Sequence, residues 1–185
     1  MDLTDVKIAI IATDLFEEAE LSEPRKALEE AGAVVVIIAP DEGDIQGVNH
    51  HEDAHTVPVD MTFDEADPAD FDAVLIPGGV MSSDALRLNK RAQAFVQAMD
   101  ADSKPLGVVC HGAWILVDAA LVDGRTMTSS LSIAADLKNA GADWVDKEVV
   151  IDGNWVSSRK PADLPAFIAA FMELLEDEID EDEEE

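Results

Sequence analysis

The sequence predicts an α/β protein with a mostly parallel central sheet and helices on both faces. Two observations carry this. Short apolar runs of strand length alternate with segments of helical spacing along the 185 residues. The runs are nearly continuous in apolar residues, as expected of parallel strands covered on both sides.

The first run, VKIAIIA (6–12), reads as a buried strand. ELSEPRKALEEAGA (20–33) follows with Leu21, Ala27, Leu28 and Ala31 at helical spacing and Gly32 as the stop. AVVVIIAP (33–40) is β-branched and halts at Pro40, which completes a strand-helix-strand crossover. Residues 41–60 are polar and contain glycine, and read as a hairpin or an irregular insertion. FDAVLIPGG (71–79) is a third strand running into a Gly-Gly turn. SDALRLNKRAQAFVQAMDAD (83–102) reads as one helix, its apolar face formed by Leu86, Leu88, Ala92, Phe95, Val96 and Met99. PLGVV (105–109) is a fourth strand, with the helix HGAWILVDAAL (111–121) after it. SIAADLKNAG (132–141) is another helix with a glycine stop. KEVVIDGNWVSS (147–158) is a pair of β runs about Asp152-Gly153. ADLPAFIAAFMELLEDE (162–178) closes the chain as an amphipathic helix that frays into acidic residues. No repeat or long linker divides the chain, so it reads as a single domain over 1–175 followed by an acidic tail, 176–185.

Composition narrows the function classes. Apolar residues make up 48% of the chain, enough for a full core. The longest apolar run, 33–39, is far too short to cross a bilayer, and MDLTDVKIAI lacks the basic start of a signal segment. A cytoplasmic protein is expected. The single cysteine cannot form an intramolecular disulfide, in keeping with a reducing compartment. Asp and Glu number 41 against 12 Lys and Arg, a net charge of −29. Nucleic acid and anionic membrane surfaces would be repelled, because binding them needs basic residues to neutralise phosphate. Apart from the terminal EDEIDEDEEE, the acidity is dispersed, which points to a halophilic protein in a cytosol of very high salt, where screening removes self-repulsion. The alternative is an ordinary acidic protein with an acidic tail.

In an open parallel sheet the site lies beyond the carboxyl ends of the strands. Three segments reach that edge with chemistry: 13–20, 77–84 and 110–112. Cys110 stands at a tight strand-to-helix turn, a nucleophile elbow in form, where a helix N-terminus would favour the thiolate. A free cysteine is most often a buried structural residue, and the elbow is what argues for a reactive one. His111 is adjacent, and neighbouring side chains usually diverge, but its backbone N–H is placed to donate to an oxyanion. Gly79, in PGGV, offers a second such donor, or is simply a turn. Glu17 and Glu20 sit three apart after the first strand, so a helical turn would put them on one face. A carboxyl aimed at Cys110 would be either protonated and donating, or a base for the thiol. His50, His51 and His55 lie in a polar segment that does not read as a helix, so no metal site is expected there. No nucleotide-binding glycine motif occurs, and no cofactor is expected.

The segments DLFEEAEL, FDAVLIPGGV, GVVCHGAWIL, GRTMTSS and VVIDGNWVSSRKPADLPAF together resemble the PfpI intracellular protease and deglycase family of the PfpI/ThiJ superfamily, over about residues 6–175. The resemblance implies a flavodoxin-like three-layer sandwich of the class I glutamine amidotransferase type. It also implies a homo-oligomer, a dimer or a hexamer. Carried across residue by residue, it makes Cys110 the nucleophile, with His111 beside it. Glu20 becomes the carboxyl bonded to the thiol, Glu17 sits at the pocket mouth, and the Gly79 and His111 amides are the oxyanion donors. In peptidase-type hexamers an acidic residue of a neighbouring subunit completes a triad, and Asp84 stands at that position, with a shorter reach than Glu. Ser130 stands where relatives of this kind often carry an aromatic, which would widen the pocket. The implied activity is cysteine-dependent hydrolysis of glyoxal or methylglyoxal adducts. The alternatives are an oligomer-dependent intracellular peptidase and a redox-sensing stress protein or holdase.

Overall fold

The computed structural model describes residues 2–184, and side chains through residue 178. The first crossover is β1 (Lys7–Ile11), a two-residue β2 (Phe16–Glu17), α1 (Glu18–Glu30) and β3 (Val34–Ala39). α1 stops where the Ala33 amide returns to the Leu28 carbonyl at 3.0 Å and that of Gly32 to Glu29 at 3.1 Å, the paired closure of a glycine-terminated helix. The 41–60 segment is a hairpin, β4 (Asp44–Asn49) and β5 (Glu52–Pro58), antiparallel and extended by β2 into a separate three-stranded sheet. Next come β6 (Met61–Thr62) and β7 (Ala73–Ile76).

The helix expected over 83–102 is two helices, α2 (Val80–Arg87) and α3 (Lys90–Ala101). The reason is Asn89. Its side chain accepts the amides of Arg91 and Ala92, each at 3.0 Å, and so starts a new helix inside the apolar stripe. After β8 (Leu106–Val109), the helix expected from residue 111 is a 3₁₀ turn, Cys110–Ala113, leading into a short α4 (Trp114–Asp118). Likewise 132–141 begins in a 3₁₀ turn, Leu131–Ile133, before α5 (Ala134–Asn139), which lies between the two-residue strands β9 (Thr126–Met127) and β10 (Asp143–Trp144). The hairpin of β11 (Val149–Asp152) and β12 (Trp155–Ser158) precedes α6 (Leu164–Glu184), which continues as helix well past residue 178. Of the expected tail, residue 185 and the side chains from 179 onward lie outside the described residues.

The main sheet has the order β11-β12-β8-β7-β1-β3-β6, parallel throughout except for the antiparallel edge strand β11. In chain order its five central strands run second, first, third, fourth, fifth, which is the flavodoxin-like arrangement with its switch point between β1 and β7. Period-two alternation splits each strand between two cores. Ala9, Ile11, Val74, Ile76 and Val108 join Phe95, Val96, Met99 and Ile115 of α3 and α4 in one core. Ile8, Ile10 and Leu75 join Leu21 and Leu28 of α1 and Phe167 and Phe171 of α6 in the other. Both faces are dry, so the strands read as unbroken apolar runs. The same packing sets the ends of β1, β7 and β8 side by side.

Candidate active site

β8 delivers the chain at Val109, and the next residue turns sharply. Cys110 has φ 60°, a left-handed conformation that costs a residue with a Cβ about 1–2 kcal/mol. The turn is tied back by the Ser130 amide, which donates to the Cys110 carbonyl at 3.2 Å. This bend overcomes the usual divergence of neighbouring side chains. His111 Nδ1 lies 3.2 Å from Cys110 Sγ, and the His111 backbone N–H also donates to the sulfur. On its other side His111 Nε2 lies 2.8 Å from Ser132 Oγ. The imidazole meets Trp114 edge-on at 5.2 Å.

Glu20, in the first turn of α1, is fully buried. Its Oε2 accepts the Gly78 amide at 2.8 Å, and Oε1 is buried with no hydrogen-bond partner among the described residues. Burial pushes its pKa up to about 8, the charge of Glu17 adds to that, and the bonds from Gly78 and the Cys110 thiol offset part of it. Glu20 is therefore predominantly a neutral acid at pH 7. Glu17 is nearly buried at the start of α1, where its carboxylate accepts the His50 amide at 3.2 Å. Two glycines permit this closeness. A Cβ on Gly78 would stand 2.8 Å from the Cys110 Cβ and 3.1 Å from the His111 nitrogen. Gly79 has φ 96° and begins α2, a conformation open to glycine.

The expected lowering of the thiol pKa by a helix N-terminus does not occur. Burial raises the Cys110 pKa, the negative charge of Glu20 raises it further, and the His111 amide counters only in part. The elbow opens a four-residue 3₁₀ turn and a five-residue α4, so little helix dipole stands behind it. When Glu20 is protonated its charge no longer opposes the thiolate, and burial is the main obstacle left.

The sulfur opens into a cavity of about 750 Å³. Its wall brings together Cys110, His111, Glu20, Glu17, Gly79 and Ser130, the residues that the strand ends pointed to. Asp84 is exposed on α2 and is not part of this wall in its own chain. The hairpin supplies His50 and His51 to the wall, which sequence reasoning considered only as metal ligands. His55 instead pairs with Glu18 at 2.5 Å. Among the described residues no group of three or more His, Cys, Asp or Glu side chains is arranged to hold a metal ion. Two basic wall residues were missed, Arg159 and Lys160. Arg159 is anchored by Asp163 and Asp146, each at 2.8 Å. The signal was present in SSRKPADLP, two adjacent cations immediately after a strand end in a chain with 12 basic residues.

Fold and elbow together define a class, flavodoxin-like α/β proteins that carry a cysteine at the turn after the fourth central strand. The chain belongs to the DJ-1/PfpI family, which it matches over residues 6–174. It is 44% identical over 170 residues to a deglycase of Thermococcus kodakarensis, covering 92% of this chain and 99% of the relative. The protein named Deglycase PfpI from Pyrococcus furiosus is 42% identical over 170 residues, with the same coverage. A Bacillus subtilis relative named as a candidate cysteine protease is 43% identical over 169 residues, 91% of this chain and 98% of its own. Among solved structures, a two-domain Anabaena variabilis protein with DJ-1/ThiJ/PfpI-like and ferritin-like domains superposes with a TM-score of 0.88 at 35% identity. That match covers 92% of this chain and 48% of the Anabaena chain. Schizosaccharomyces pombe DJ-1 superposes with a TM-score of 0.80 at 20% identity, covering 91% of this chain and 90% of the yeast chain, a likeness of fold.

Proposed function

We propose that this chain is a cysteine-dependent hydrolase of early glycation adducts, those formed by glyoxal or methylglyoxal with amines and thiols. The observation that carries the reading is the Cys110 sulfur, 3.2 Å from His111 Nδ1 and beside the buried acid Glu20, open to a cavity of about 750 Å³. Relatives named as deglycases support it.

In this reading Cys110 attacks the electrophilic carbon of the adduct, and the thiol proton passes to His111. The carbon's oxygen gains charge and is met by the N–H groups of Gly79 and His111. Glu20, kept neutral by burial, stands beside the sulfur without opposing the thiolate, and its unpartnered Oε1 is free to donate as charge builds there. Lys160 at the rim would favour adducts that carry a carboxylate. We place the protein in the cytoplasm as a homo-oligomer, a dimer or a hexamer. Exposed Val80 and Met81 of α2, and Leu88 just after it, are the surface that would join copies.

The peptidase reading uses the same nucleophile and is favoured by the Bacillus relative's name. It requires Asp84 of a second subunit to reach His111. The test is methylglyoxal consumption in molar-range KCl by wild type and Cys110→Ala, with and without a thiol acceptor. Thiol-dependent turnover that vanishes in the variant is the expected result. An inactive wild type whose Cys110 still alkylates would overturn the adduct reading and turn attention to peptides and to peroxide.

A further inference from the structure

His111 is gripped at both ends within one chain. Nδ1 faces Cys110 Sγ at 3.2 Å, and Nε2 faces Ser132 Oγ at 2.8 Å. Ser132 Oγ in turn lies 3.0 Å from Ser130 Oγ. Ser132 is exposed, so this line of polar atoms runs from the half-buried sulfur to water. Its parts are fixed from several sides. The Ser130 amide bonds the Cys110 carbonyl, and Trp114 packs edge-on against the imidazole. Trp114 itself is held by Asp136 Oδ2 at 2.8 Å and lies under the Arg87 guanidinium.

We infer that Ser132 is the positioning residue for His111, and that the Cys110–His111–Ser132 line carries the thiol proton to solvent within a single subunit. The inference rests on Cys110 being the nucleophile. As sulfur attacks, S–H gives its proton to Nδ1, Nε2–H gives its own to Ser132 Oγ, and the serine passes its hydroxyl proton to water, directly or through Ser130 Oγ, which hands its own proton on. The imidazole begins and ends neutral, with the tautomer reversed.

A hydroxyl suits this role because it donates and accepts equally well. A carboxylate in its place only accepts, and would hold the imidazole as a cation. Burial already disfavours that cation, lowering the His111 pKa. The charged or titratable groups that share the cavity wall with His111 are Cys110, Glu17 and Glu20 from the strand-end side, His50, His51 and Asp53 from the hairpin, and Arg159 and Lys160 after β12. Of these only Cys110 is bonded to the ring. A neutral relay matters for substrate choice. Amide hydrolysis needs an imidazolium to protonate the leaving amine, as does release of an amine from an adduct, whereas attack on an aldehyde or on a thiol adduct, which leaves as thiolate, needs only a path for the thiol proton. The line therefore suits aldehydes and their thiol adducts over peptides, and His111 needs no residue from a second copy.

The test uses the full-length protein in molar-range KCl, as wild type, Ser132→Ala, Ser132→Thr and Ser132→Asp. Iodoacetamide alkylation of Cys110 is followed across about pH 5 to 10, beside turnover of a methylglyoxal–thiol adduct. Melting temperatures check that each variant is folded. Ser132→Ala should alkylate about fivefold more slowly near neutral pH, the worth of one modest hydrogen bond. Ser132→Thr should restore the rate, and Ser132→Asp should move the alkylation profile to lower pH by favouring imidazolium and thiolate together. Superposable profiles for wild type and Ser132→Ala would overturn the inference. A wild type that turns over no adduct while Ser132→Ala still slows alkylation would refute the substrate reading and sustain the relay.

Discussion

Glu20 Oε2 takes the Gly78 amide at 2.8 Å, and with the Glu17 amide's bond to the Gly78 carbonyl it ties the start of α1 to the turn after β7, beside the Cys110 thiol. The carboxyl is buried, and its pKa rises from 4.5 to about 8. A raised folded-state value gives stability that is complete below the unfolded pKa near 4.5 and is lost as pH rises toward about 8. A tenfold change in an acid's dissociation constant corresponds to about 1.4 kcal/mol, so a few kcal/mol are at stake. Glu20→Gln keeps the acceptor for Gly78 and removes the ionisation. Denaturant midpoints measured from acid to mildly alkaline pH should fall for wild type and fall less for Glu20→Gln. Parallel profiles would show that Glu20 ionises normally.

The left-handed turn at Cys110 should be measurable as strain. Cys110→Ala keeps a Cβ in a conformation that disfavours it, and Cys110→Gly does not. Both variants should lose adduct turnover, and the glycine variant should be about 1 kcal/mol more stable than the alanine one. Equal unfolding free energies for the two would mean that the elbow stores no strain.

Asn89 is predicted to matter for stability alone. Its side chain caps α3 through the Arg91 and Ala92 amides, at a distance from the cavity wall. Asn89→Ala should cost about 1 kcal/mol in chemical denaturation and leave alkylation of Cys110 unchanged.

The charge of −29 should make the fold dependent on salt. At molar ionic strength the screening length is about 3 Å, and dilution to about 10 mM extends it to about 30 Å, bringing many carboxylates into mutual repulsion. Circular dichroism during dilution from molar KCl should show loss of helical signal. Undiminished ellipticity at low salt would identify an acidic protein with no halophilic adaptation.

The parts of the fold that were legible are those where burial leaves a long trace. β1, β3, β7, β8 and β12 carry apolar residues on both faces, so each stood out. The strands β2, β6, β9 and β10 have two residues each, too few for any periodicity to register. The division of α2 from α3 was hidden because the apolar stripe runs through Asn89 unbroken. At the site, Cys110, His111, Glu20, Glu17 and Gly79 were found because a parallel sheet gathers its strand ends at one edge. Arg159 and Lys160 follow β12 at that same edge, but adjacent basic residues carry no strong pattern. Ser132 lies in a turn whose approach to His111 depends on packing around Trp114.

The amino-acid pattern by itself determined the layered α/β class, the edge where chemistry would lie and the cysteine that would stand there, because alternation, turns and strand ends are local properties written residue by residue. The tertiary structure alone decided how acidic the groups are and which of them touch. Burial raises both Cys110 and Glu20, and the positive φ at Cys110 turns His111 back onto the sulfur. Ser132 reaches the far nitrogen of His111 from 21 residues along the chain. Desolvation and non-local contact depend on everything packed around a residue, and so no stretch of sequence states them.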